Sequence, residues 1–423
     1  MALIQNRHHF NNKKTRDVLE CLEAGLEAAR PETFLSEFVW RNKLLAQKKI
    51  LLSKYNKIYI VAVGKAADVM AKFVHTKINS DGGVVVIPQT HVPAFSNTKF
   101  KMIRASHPIP NNKSMVAAKS IIQLLKNTKN DDLVIFLVSG GASSLVCLPG
   151  GIGLSEKQRL TQNLLKCGAS IKEINALRKH LSAVKGGKIL ENLNCHAISY
   201  VMSDVIGDDL SSIASGLTYY DKTTFQDCLK IIRKYHLEHQ VSRRTLEHLK
   251  LGMLGKIAET PKAPMIQNVL IASNKDCINA VAKKARKLGY RTKTLHSLSG
   301  DVKSAATKIL QSFPNKPRSC LIFGGETTVK VTGNGKGGRN QELVLQILKR
   351  SKSDVTVASI GTDGIDGNTK HAGAISCHVT KKTEICRYLG NNDSNSFFKK
   401  YGGLVTTGAT HTNLLDIGLI LKS

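Results

Sequence analysis

The sequence is short of the residues and patterns that mark several large classes of protein. Aromatic residues make up 5% of its 423 residues, too few for the stacking platforms that single-stranded nucleic acids need. Its longest apolar runs, such as Leu133–Val138, are far below the length that crosses a bilayer. No C-x-x-C pair occurs among the nine cysteines, which favours reduced thiols over zinc ligands or disulfides. We therefore expect a globular, cytoplasmic protein whose thiols are free. The cysteines are Cys21, Cys147, Cys167, Cys195, Cys228, Cys277, Cys320, Cys377 and Cys386.

Acidic residues are also scarce, since 31 Asp and Glu stand against 62 Lys and Arg, for a net charge of +31. Such an excess fits nucleic acid, an anionic membrane surface, or a proteome that uses lysine heavily. The basic residues are scattered, as at residues 48–49, 283–287 and 399–400, and form no long tract. We interpret them as a solvated surface, and a basic nucleic-acid-binding protein remains an alternative that lacks any known module.

Apolar runs alternate with helical patterns along the chain, which predicts an α/β fold. Residues 58–63 and 133–138 are continuous apolar runs of the kind found in strands buried on both faces. A second α/β set follows residue 267, including a bent pair of strands between residues 320 and 333. The few prolines include Pro261 and Pro264, which follow a charged helical stretch. We therefore predict an N-terminal domain at 1–255, a linker at 256–266 and a C-terminal domain at 267–423. The basic first 16 residues are interpreted as a frayed or loosely docked terminus.

One loop spells G-x-G-x-x-G within VTGNGKGGRNQELVL, at Gly333, Gly335 and Gly338. A dinucleotide loop follows the first buried strand, and an acidic residue about 20 positions later binds the ribose. Here residues 327–332 alternate like an exposed hairpin arm, and the loop carries Lys336 and Arg339. These cations at a helix start favour a bare phosphate site. A flexible hairpin tip is an equally weighted alternative for this segment.

Two other loops have the same anion-binding character. Lys65 follows Gly64 at a strand-to-helix turn, where an ammonium group can lie beside helix amides. Small residues at 139–144 offer successive amides that can form an anion nest. An ordinary surface lysine and a tight helix entry are the alternatives for these two loops. The chain has neither a G-x-x-x-x-G-K-[ST] loop nor a G-x-S-x-G elbow.

Carboxylates cluster where two buried strands end. Asp204 and Asp208 follow one strand, and Asp363 and Asp366 follow another. Ligands of open α/β sheets bind at the carboxyl ends of the strands, and hard oxygen ligands suit Mg²⁺ held partly by substrate phosphates. An Asx turn explains one aspartate at each place but not the clusters.

Six ordered motifs resemble those of the glycerate 2-kinase family. They are LVSGGASSL, INALRKHLSAVKGGKIL, SDVIGDDLSSIASG, FGGETTVKVTGNGKGGRNQEL, GTDGIDG and GLVTTGATHTNLLDI. The resemblance runs from about Gly64 to Ile417. Members pair an N-terminal glycerate-kinase domain with a C-terminal domain named after an M-O-F-R-L signature. Two positions depart from the pattern, because Leu217 and Ala409 stand where the family usually has proline, and the rigid φ is lost.

The resemblance implies an N-terminal Rossmann-like parallel sheet, a mixed α/β C-terminal domain, and an active site in the cleft between them. It implies phosphorylation of D-glycerate at the 2-hydroxyl by ATP with Mg²⁺. Expected partners are this substrate and a nucleotide, with no specific nucleic acid, no membrane, and room for a homodimer. An NAD(P)-dependent oxidoreductase like hydroxypyruvate reductase is the second alternative, although the acidic ribose residue is missing at the expected place.

The resemblance also implies roles for individual residues. The catalytic set is Lys65, Arg339 and Asp204. The set expected to bind the nucleotide and its phosphates is Gly64, Ser139, Gly140, Gly141, Ser143, Gly335, Lys336, Gly337 and Gly338. The set expected to bind glycerate is Arg178, His180, Lys185 and His411, and a solvated helix face is an equal alternative for His180. The expected metal ligands are Asp204, Asp208, Asp363 and Asp366.

Overall fold

The structure is a computed structural model, and it describes residues 2–314, 316–351, 355–376 and 382–422. The helices are α1 (Lys13–Ala28), α2 (Pro31–Leu35), α3 (Ala67–Ile78), α4 (Asn112–Lys126), α5 (Ala142–Leu145), α6 (Leu154–Lys166), α7 (Ile171–His180), α8 (Phe225–Lys234), α9 (Arg243–Met253), α10 (Asn274–Lys287), α11 (Val302–Ser312), α12 (Arg339–Arg350), α13 (Lys382–Gly390) and α14 (Ser394–Tyr401). The strands are β1 (Val39–Trp40), β2 (Lys43–Leu45), β3 (Lys49–Leu51), β4 (Ile58–Val63), β5 (Gly82–Pro88), β6 (Phe100–Ala105), β7 (Leu133–Val138), β8 (His196–Met202), β9 (Gln267–Ala272), β10 (Arg291–Asp301), β11 (Ser319–Thr328), β12 (Thr356–Gly361), β13 (Gly373–Ile375), β14 (Leu404–Val405) and β15 (Asp416–Lys422).

Packing divides the chain into two compact units. The central unit is Leu35–Ile271, and the terminal unit combines Met1–Phe34 with Ala272–Ser423. This division differs from the predicted ranges 1–255, 256–266 and 267–423. The predicted linker is packed onto the central unit, where Thr260 is buried and its hydroxyl donates to Asp221 Oδ2 at 3.2 Å.

The central unit is built on a six-stranded sheet in the order β6-β5-β4-β7-β8-β9. The pairings from β6 through β8 are parallel, and every residue of β7 is buried. Such continuous burial is what helices on both faces of a parallel sheet produce. Val61, Val134 and Phe136 pack with residues of α4 in one core cluster. A separate cluster joins helices α6 to α9, with Phe225 fully buried in it. A small antiparallel sheet, β1-β2-β3, completes the unit.

The terminal unit has a mixed six-stranded sheet in the order β10-β11-β15-β12-β13-β14. Its β10–β11 pair is parallel and its other pairs are antiparallel. The α/β fold with a parallel sheet and a second mixed sheet is thus confirmed. The predicted bent strand pair is corrected to the single strand β11, which ends at Thr328.

Residues before position 34 are an integral part of the terminal unit. Helix α1 buries Val18, Leu22 and Leu26 and packs against α10, β12 and β15. Upstream of this helix, Gln5 N donates to Thr406 O at 2.8 Å and Asn6 Nδ2 donates to Leu404 O at 2.7 Å. These hydrogen bonds correct the interpretation of the first residues as a frayed or loosely docked terminus, because they tie the segment to the β14 region.

Two negative findings hold for the described part of the chain. Its helices are all too short or too polar to cross a membrane. Its eight cysteines are all free thiols, and Cys377 lies outside the described residues.

Candidate active site

The carboxyl ends of β4 and β7 form the topological switch point of the parallel sheet. From β4 the chain continues to β5 and β6 on one side, whereas β7 and β8 lie on the other. Val63 and Val138 are paired at the ends of these two strands. Open α/β sheets bind their ligands at such a point, because the loops diverge there and leave a crevice. Gly64–Lys65 and the loop that starts at Ser139 both begin at this position.

These two loops are tied directly to each other. Lys65 N donates to Gly140 O at 2.9 Å, and Ala66 N donates to Ser139 Oγ at 3.1 Å. Gly64 has a φ of +134°, and a Cβ there would lie 2.1 Å from Ser139 Oγ. Only glycine therefore allows this close approach.

The loop after β7 keeps free donors. Gly141, with a φ of +84°, leads into the short helix α5. Among the described residues, the amides of Gly140 and Ser143 have no acceptor. Two such donors next to the Lys65 turn form a concavity suited to an anion.

Asp204 belongs to the same site. It follows β8 directly and is partly exposed. Burial raises the pKa of Asp204, while its own amide, the Lys65 charge and the Gly141 amide oppose that rise. The structure therefore brings Lys65, Asp204 and Gly141 together. Asp208 lies in the turn that its amide closes onto Val205 O at 3.1 Å, and its φ is +57°. Its carboxylate accepts no hydrogen bond from the described residues.

A cavity of about 290 Å³ lies beside α5. Ser143, Arg178 and Lys185 all line it, so three of the predicted binding residues meet in one cavity. Pro108, Ile109 and Leu165 supply apolar walls, and no described Asp or Glu lines it. The cavity is therefore cationic and suits a small anion.

Two buried lysines also line this cavity. Lys185 is 2% exposed, and its Nζ donates to Ala214 O at 3.1 Å. Burial lowers the pKa of Lys185 to about 7. Lys157, which the sequence reasoning missed, donates through Nζ to Leu181 O at 2.8 Å and Arg178 O at 3.0 Å. Burial lowers the pKa of Lys157 to about 8.

Arg178 is the cation of this cavity whose donors remain available to a ligand. Its side chain is half-buried, and no described residue accepts a hydrogen bond from its guanidinium group. Burial lowers the pKa of Arg178 from its very high usual value, and the group stays charged at neutral pH. A planar guanidinium with free donors is suited to bind a carboxylate in two places.

His180 lies in the core instead of lining the cavity. It is fully buried, with Nδ1 2.8 Å from Ala176 O and Nε2 3.0 Å from Glu259 Oε2. Its ring packs edge-on against Phe225 at 4.6 Å between centroids. This corrects the predicted role of His180 in holding glycerate, because neither ring nitrogen is left for a ligand.

The backbone amides of the glycine loop in the terminal unit already donate to other residues of the protein. The amides of Thr332 and Gly333 donate to Asn392 Oδ1, and those of Asn334 and Gly335 donate to Asn391. In the same way, Lys336 N donates to Asp393 Oδ1 and Gly337 N to Asn368 Oδ1, both at 3.0 Å. Within the described residues only the Gly338 amide of this run lacks an acceptor. The prediction of an open phosphate cradle at Gly335, Lys336 and Gly337 is corrected accordingly, and the loop offers a dinucleotide no better site.

Asp366 fills the place where the sequence predicted a bound phosphate. Its carboxylate accepts from Asn340 N at 3.0 Å and Gln341 N at 2.9 Å, at the start of α12. It is buried, and that burial raises the pKa of Asp366 to about 6. Asp366 thus stabilises the helix N-terminus, which corrects its predicted role as a metal ligand.

Arg339 is held by two carboxylates that the sequence reasoning missed. Its Nε and Nη2 donate to Asp416 at 2.6 and 2.9 Å, and its Nη1 lies 2.7 Å from Glu326 Oε1. Burial alone would lower the pKa of Arg339, but these partners raise it, so the group is permanently charged. The two carboxylates come from neighbouring strands, near the end of β11 and at the start of β15, and local sequence patterns do not reveal that these strands pair.

Asp363 and His411 lie on neighbouring loops near this group. A Cβ on Gly361 would be 3.1 Å from Asp363 Oδ1 and 3.5 Å from Asp416 Oδ1, so both carboxylates flank that glycine. Thr410, next to His411, donates through its hydroxyl to Thr362 O. In no case do three described His, Cys, Asp or Glu side chains come together as a metal site.

The two replaced prolines have different surroundings. Leu217 is buried in the core cluster of the parallel sheet, directly after three residues with positive φ, Ala214 to Gly216. Ala409 is exposed. The first replacement therefore exchanges ring stiffness for apolar packing, and nothing in the structure explains the second.

Comparisons with known proteins agree with this architecture. Residues 17–250 match a family described as a domain of unknown function, DUF4147, and residues 319–416 match the MOFRL family. A glycerate 2-kinase from Pyrococcus horikoshii is 37% identical over 396 residues, 89% of each chain. A D-glycerate 2-kinase from Thermotoga maritima is 37% identical over 427 residues, 95% of this chain and 97% of the relative.

Solved structures extend the likeness to the whole fold. A crystal structure of a Pyrococcus horikoshii protein superposes with a TM-score of 0.81 at 36% identity, covering 96% of this chain and 97% of that one. The crystal structure of a glycerate kinase from Thermotoga maritima gives a TM-score of 0.81 at 35% identity, covering 96% and 98%. The chain therefore belongs to the glycerate 2-kinase family.

Proposed function

We propose that this chain transfers the γ-phosphoryl group of ATP to the 2-hydroxyl of D-glycerate, giving 2-phosphoglycerate and ADP in the cytoplasm. The observation that carries the proposal is the switch point of the parallel sheet. There, a lysine, a carboxylate and two free amides lie beside a cationic cavity. The names of the relatives in Pyrococcus and Thermotoga support the choice of substrate.

Arg178 is proposed to hold the glycerate carboxylate in the cavity. Its free guanidinium donors match a carboxylate, and Ser143 at the cavity wall offers a hydroxyl that already contacts Ser215 Oγ at 2.7 Å. Lys185 also lines the cavity, but its Nζ donates to the backbone carbonyls of Ala142 and Ala214. Fixing the acid at one end orients the 2-hydroxyl, and such positioning supplies much of the rate of phosphoryl transfer.

Asp204 is proposed to accept the proton of the 2-hydroxyl. The hydroxyl oxygen attacks the γ-phosphorus, the bond from that phosphorus to the β–γ bridging oxygen breaks, and ADP leaves with the bond's electron pair. The proton that the hydroxyl loses moves to the Asp204 carboxylate. Because burial raises the pKa of Asp204, it is a better base than an exposed aspartate, and kcat should fall when Asp204 is protonated in acid.

Lys65 and the amides of Gly140 and Ser143 are proposed to stabilise the charge on the transferring phosphoryl group. Fixed donors of this kind need no rearrangement during the reaction. Arg339, in the terminal unit, is proposed as a catalytic cation. Its ion pairs with Asp416 and Glu326 fix the direction of its guanidinium group.

Magnesium fits the carboxylates that follow β8. Mg²⁺ usually keeps several waters and takes one or two protein carboxylates together with substrate phosphates. Asp204 and Asp208 would hold the ion, which neutralises phosphate charge when bound. In the terminal unit, Asp366 is committed to α12, and Asp363 stays a candidate ligand whose Oδ1 accepts from Ile365 N at 3.1 Å.

The direct test measures ADP release with and without D-glycerate and identifies the product by ³¹P NMR. We expect glycerate-dependent ADP formation and a 2-phosphate ester. In parallel, ATP with Mg²⁺ should raise the melting temperature, by mass action, and NADH should not. Oxidation of NADH by hydroxypyruvate without any kinase activity would refute the proposal.

A further inference from the structure

Two adjoining cavities lie in the terminal unit. Their volumes are about 460 and 580 Å³, and both have His371, Lys399 and Leu404 in their walls. We name the two cavities together the basic groove. The larger is also lined by Lys336 and Lys370, and the smaller by Asn6 and Phe10 of the N-terminal segment. Each is larger than glycerate would fill.

The charges along the basic groove are all of one sign. Lys336, Lys370 and Lys399 line it, and no described acidic residue does. None of the three ammonium groups forms an ion pair with any described side chain. By contrast, Lys400 next to Lys399 pairs with Glu384 at 2.6 Å, and Lys284 pairs with Glu20 at 2.7 Å. Lysines of this unit outside the groove, such as Lys283 and Lys303, also lack ion pairs with described side chains, so what sets the groove apart is that three such lysines line it together.

The segments that carry these cations are held firmly. Lys336 N donates to Asp393 Oδ1, and its carbonyl accepts from Asn395 N at 2.9 Å. Thr369 Oγ1 donates to Asp366 O at 2.9 Å and accepts from His371 N, which fixes the backbone on both sides of Lys370. Lys399 lies on α14. Cations on fixed backbone lose less conformational freedom when they bind, which favours a preformed anion site.

His371 adds a neutral polar group at the middle of the groove. Its Nδ1 lies 2.9 Å from Thr406 Oγ1. Burial and the Lys370 charge lower the pKa of His371, so the ring is neutral at pH 7. It can then contribute a hydrogen bond without adding to the repulsion among the lysines.

We propose that the basic groove binds an anion carrying several phosphate groups in a row. Three ammonium groups that form no ion pair with described side chains are distributed over two adjoining cavities, an arrangement that matches a linear chain of phosphates better than a single carboxylate or phosphate. Two sources share this chemistry: the phosphate chain of a nucleotide and free inorganic polyphosphate. The proposal does not depend on which substrate the chain phosphorylates.

The test is calorimetric titration of the intact protein with inorganic tripolyphosphate at constant ionic strength. We expect the variant Lys370→Ala/Lys399→Ala to bind at least tenfold more weakly, since it loses two charge-assisted contacts. The matched control is Lys283→Ala/Lys400→Ala, which removes two positive charges from the same unit outside the groove. The control should bind within about twofold of the parent. Circular dichroism establishes that both variants are folded.

Three results would overturn the proposal. They are the absence of tripolyphosphate binding, an equal loss of affinity in both double variants, and orthophosphate binding as tightly as tripolyphosphate. The first shows that there is no site, the second that bulk charge is responsible, and the third that a chain of phosphates is not recognised.

Steady-state kinetics then separate the two sources. If Lys370→Ala/Lys399→Ala raises KM for ATP with little change in kcat, the occupant is the phosphate chain of the nucleotide. If KM for ATP is unchanged while tripolyphosphate affinity falls, the occupant is a separate polyphosphate. Tripolyphosphate affinity is measured without turnover, so it can be interpreted even if the proposed kinase activity is not found.

Discussion

Two glycine-containing loops of this chain have similar sequences and differ in what surrounds their backbone amides. The loop after β7 lies at the switch point of the parallel sheet and keeps the Gly140 and Ser143 amides free of described acceptors. The loop before α12 donates six successive amides, from Thr332 to Gly337, to acceptors of its own unit. We call the loop after β7 (residues 139–144) the open loop and the loop before α12 (residues 332–338) the pinned loop. The buried carboxylate of Asp366 occupies the α12 N-terminus as an anion would.

The difference shows that glycine spacing alone does not identify an anion site. Glycines permit a tight loop in both places, but free donors depend on which residues face the loop. In the second loop those residues are Asn391, Asn392 and Asp393, about 60 positions downstream, together with Asn368. Such partners become visible only when the fold brings them together.

The largest expected effect concerns Lys65 in the open loop. Lys65→Ala should lower kcat and kcat/KM for glycerate phosphorylation together by about 10²- to 10³-fold, the usual result of losing one fixed stabilising donor. Steady-state ADP release measures this. Lys72→Ala is the control, because Lys72 is an exposed lysine on α3. If Lys65→Ala and Lys72→Ala behave alike, the open loop is not a phosphate site and the comparison with the pinned loop loses its meaning.

Arg178 and His180 differ in the same respect. The guanidinium group of Arg178 has no described acceptor, whereas both ring nitrogens of His180 lie next to hydrogen-bond partners. Arg178→Ala should raise KM for glycerate about 10- to 100-fold, since a charge-assisted bond contributes about 1.5–3 kcal/mol. His180→Gln should leave KM within about twofold and lower the free energy of unfolding by about 1–3 kcal/mol, because it disrupts a buried contact with Glu259. Initial rates and urea unfolding measure the two effects. A KM increase in His180→Gln equal to that in Arg178→Ala would contradict the assignment.

Local patterns predicted the parts of the fold that depend on neighbours in sequence. Continuous apolar runs located β4 and β7, because strands buried on both faces consist of apolar residues. The ends of such runs then located Lys65 and Asp204. Pairing between distant segments leaves no such trace. The position of β15 between β11 and β12, and the packing of α1 onto α10, therefore appeared only in the structure.

The site residues divide in the same way. Lys65, Gly141 and Asp204 are grouped because the carboxyl ends of three parallel strands meet at the same end of the sheet. Sequence reasoning can apply that rule. The partners of Arg339, at Glu326 and Asp416, and those of Asp366 come from other strands and from α12. The sequence placed His180 on the same helix as Arg178, but it did not reveal that Glu259 contacts the His180 ring.

The pinned loop can be tested through Asn392, which is 8% exposed. Its Oδ1 accepts from Thr332 N at 2.8 Å and Gly333 N at 3.0 Å. Asn392→Ala should lower the free energy of unfolding by about 1–3 kcal/mol, because the hydrogen bonds of a buried side chain are lost. Asn334→Ala, an exposed change in the same loop, should alter it by less than about 0.5 kcal/mol. Urea unfolding at pH 7 measures both. Equal stabilities of the two variants would show that the loop is not held by its neighbours.

The last prediction concerns the buried ionisable group that supports each loop. Lys185 donates to the carbonyls of Ala142 and Ala214 beside the open loop, and Asp366 accepts from amides of α12 behind the pinned one. Burial lowers the pKa of Lys185 to about 7 and raises the pKa of Asp366 to about 6. The two groups should therefore impose pH dependences of opposite sign on stability.

The sign follows from which state binds more protons. Between pH 7 and about 10, the unfolded chain keeps Lys185 protonated while the native state releases the proton, so stability relative to Lys185→Met should rise with pH. Between about pH 4 and 6 the native state keeps Asp366 protonated while the unfolded chain does not, so stability relative to Asp366→Asn should fall as pH rises. Each slope approaches about 1.4 kcal/mol per pH unit. Urea unfolding of parent and variant across both ranges measures these slopes, and the difference between each pair removes the titration of all other groups. Parallel curves for a pair would mean that its charge is solvated in the native state and does not support its loop.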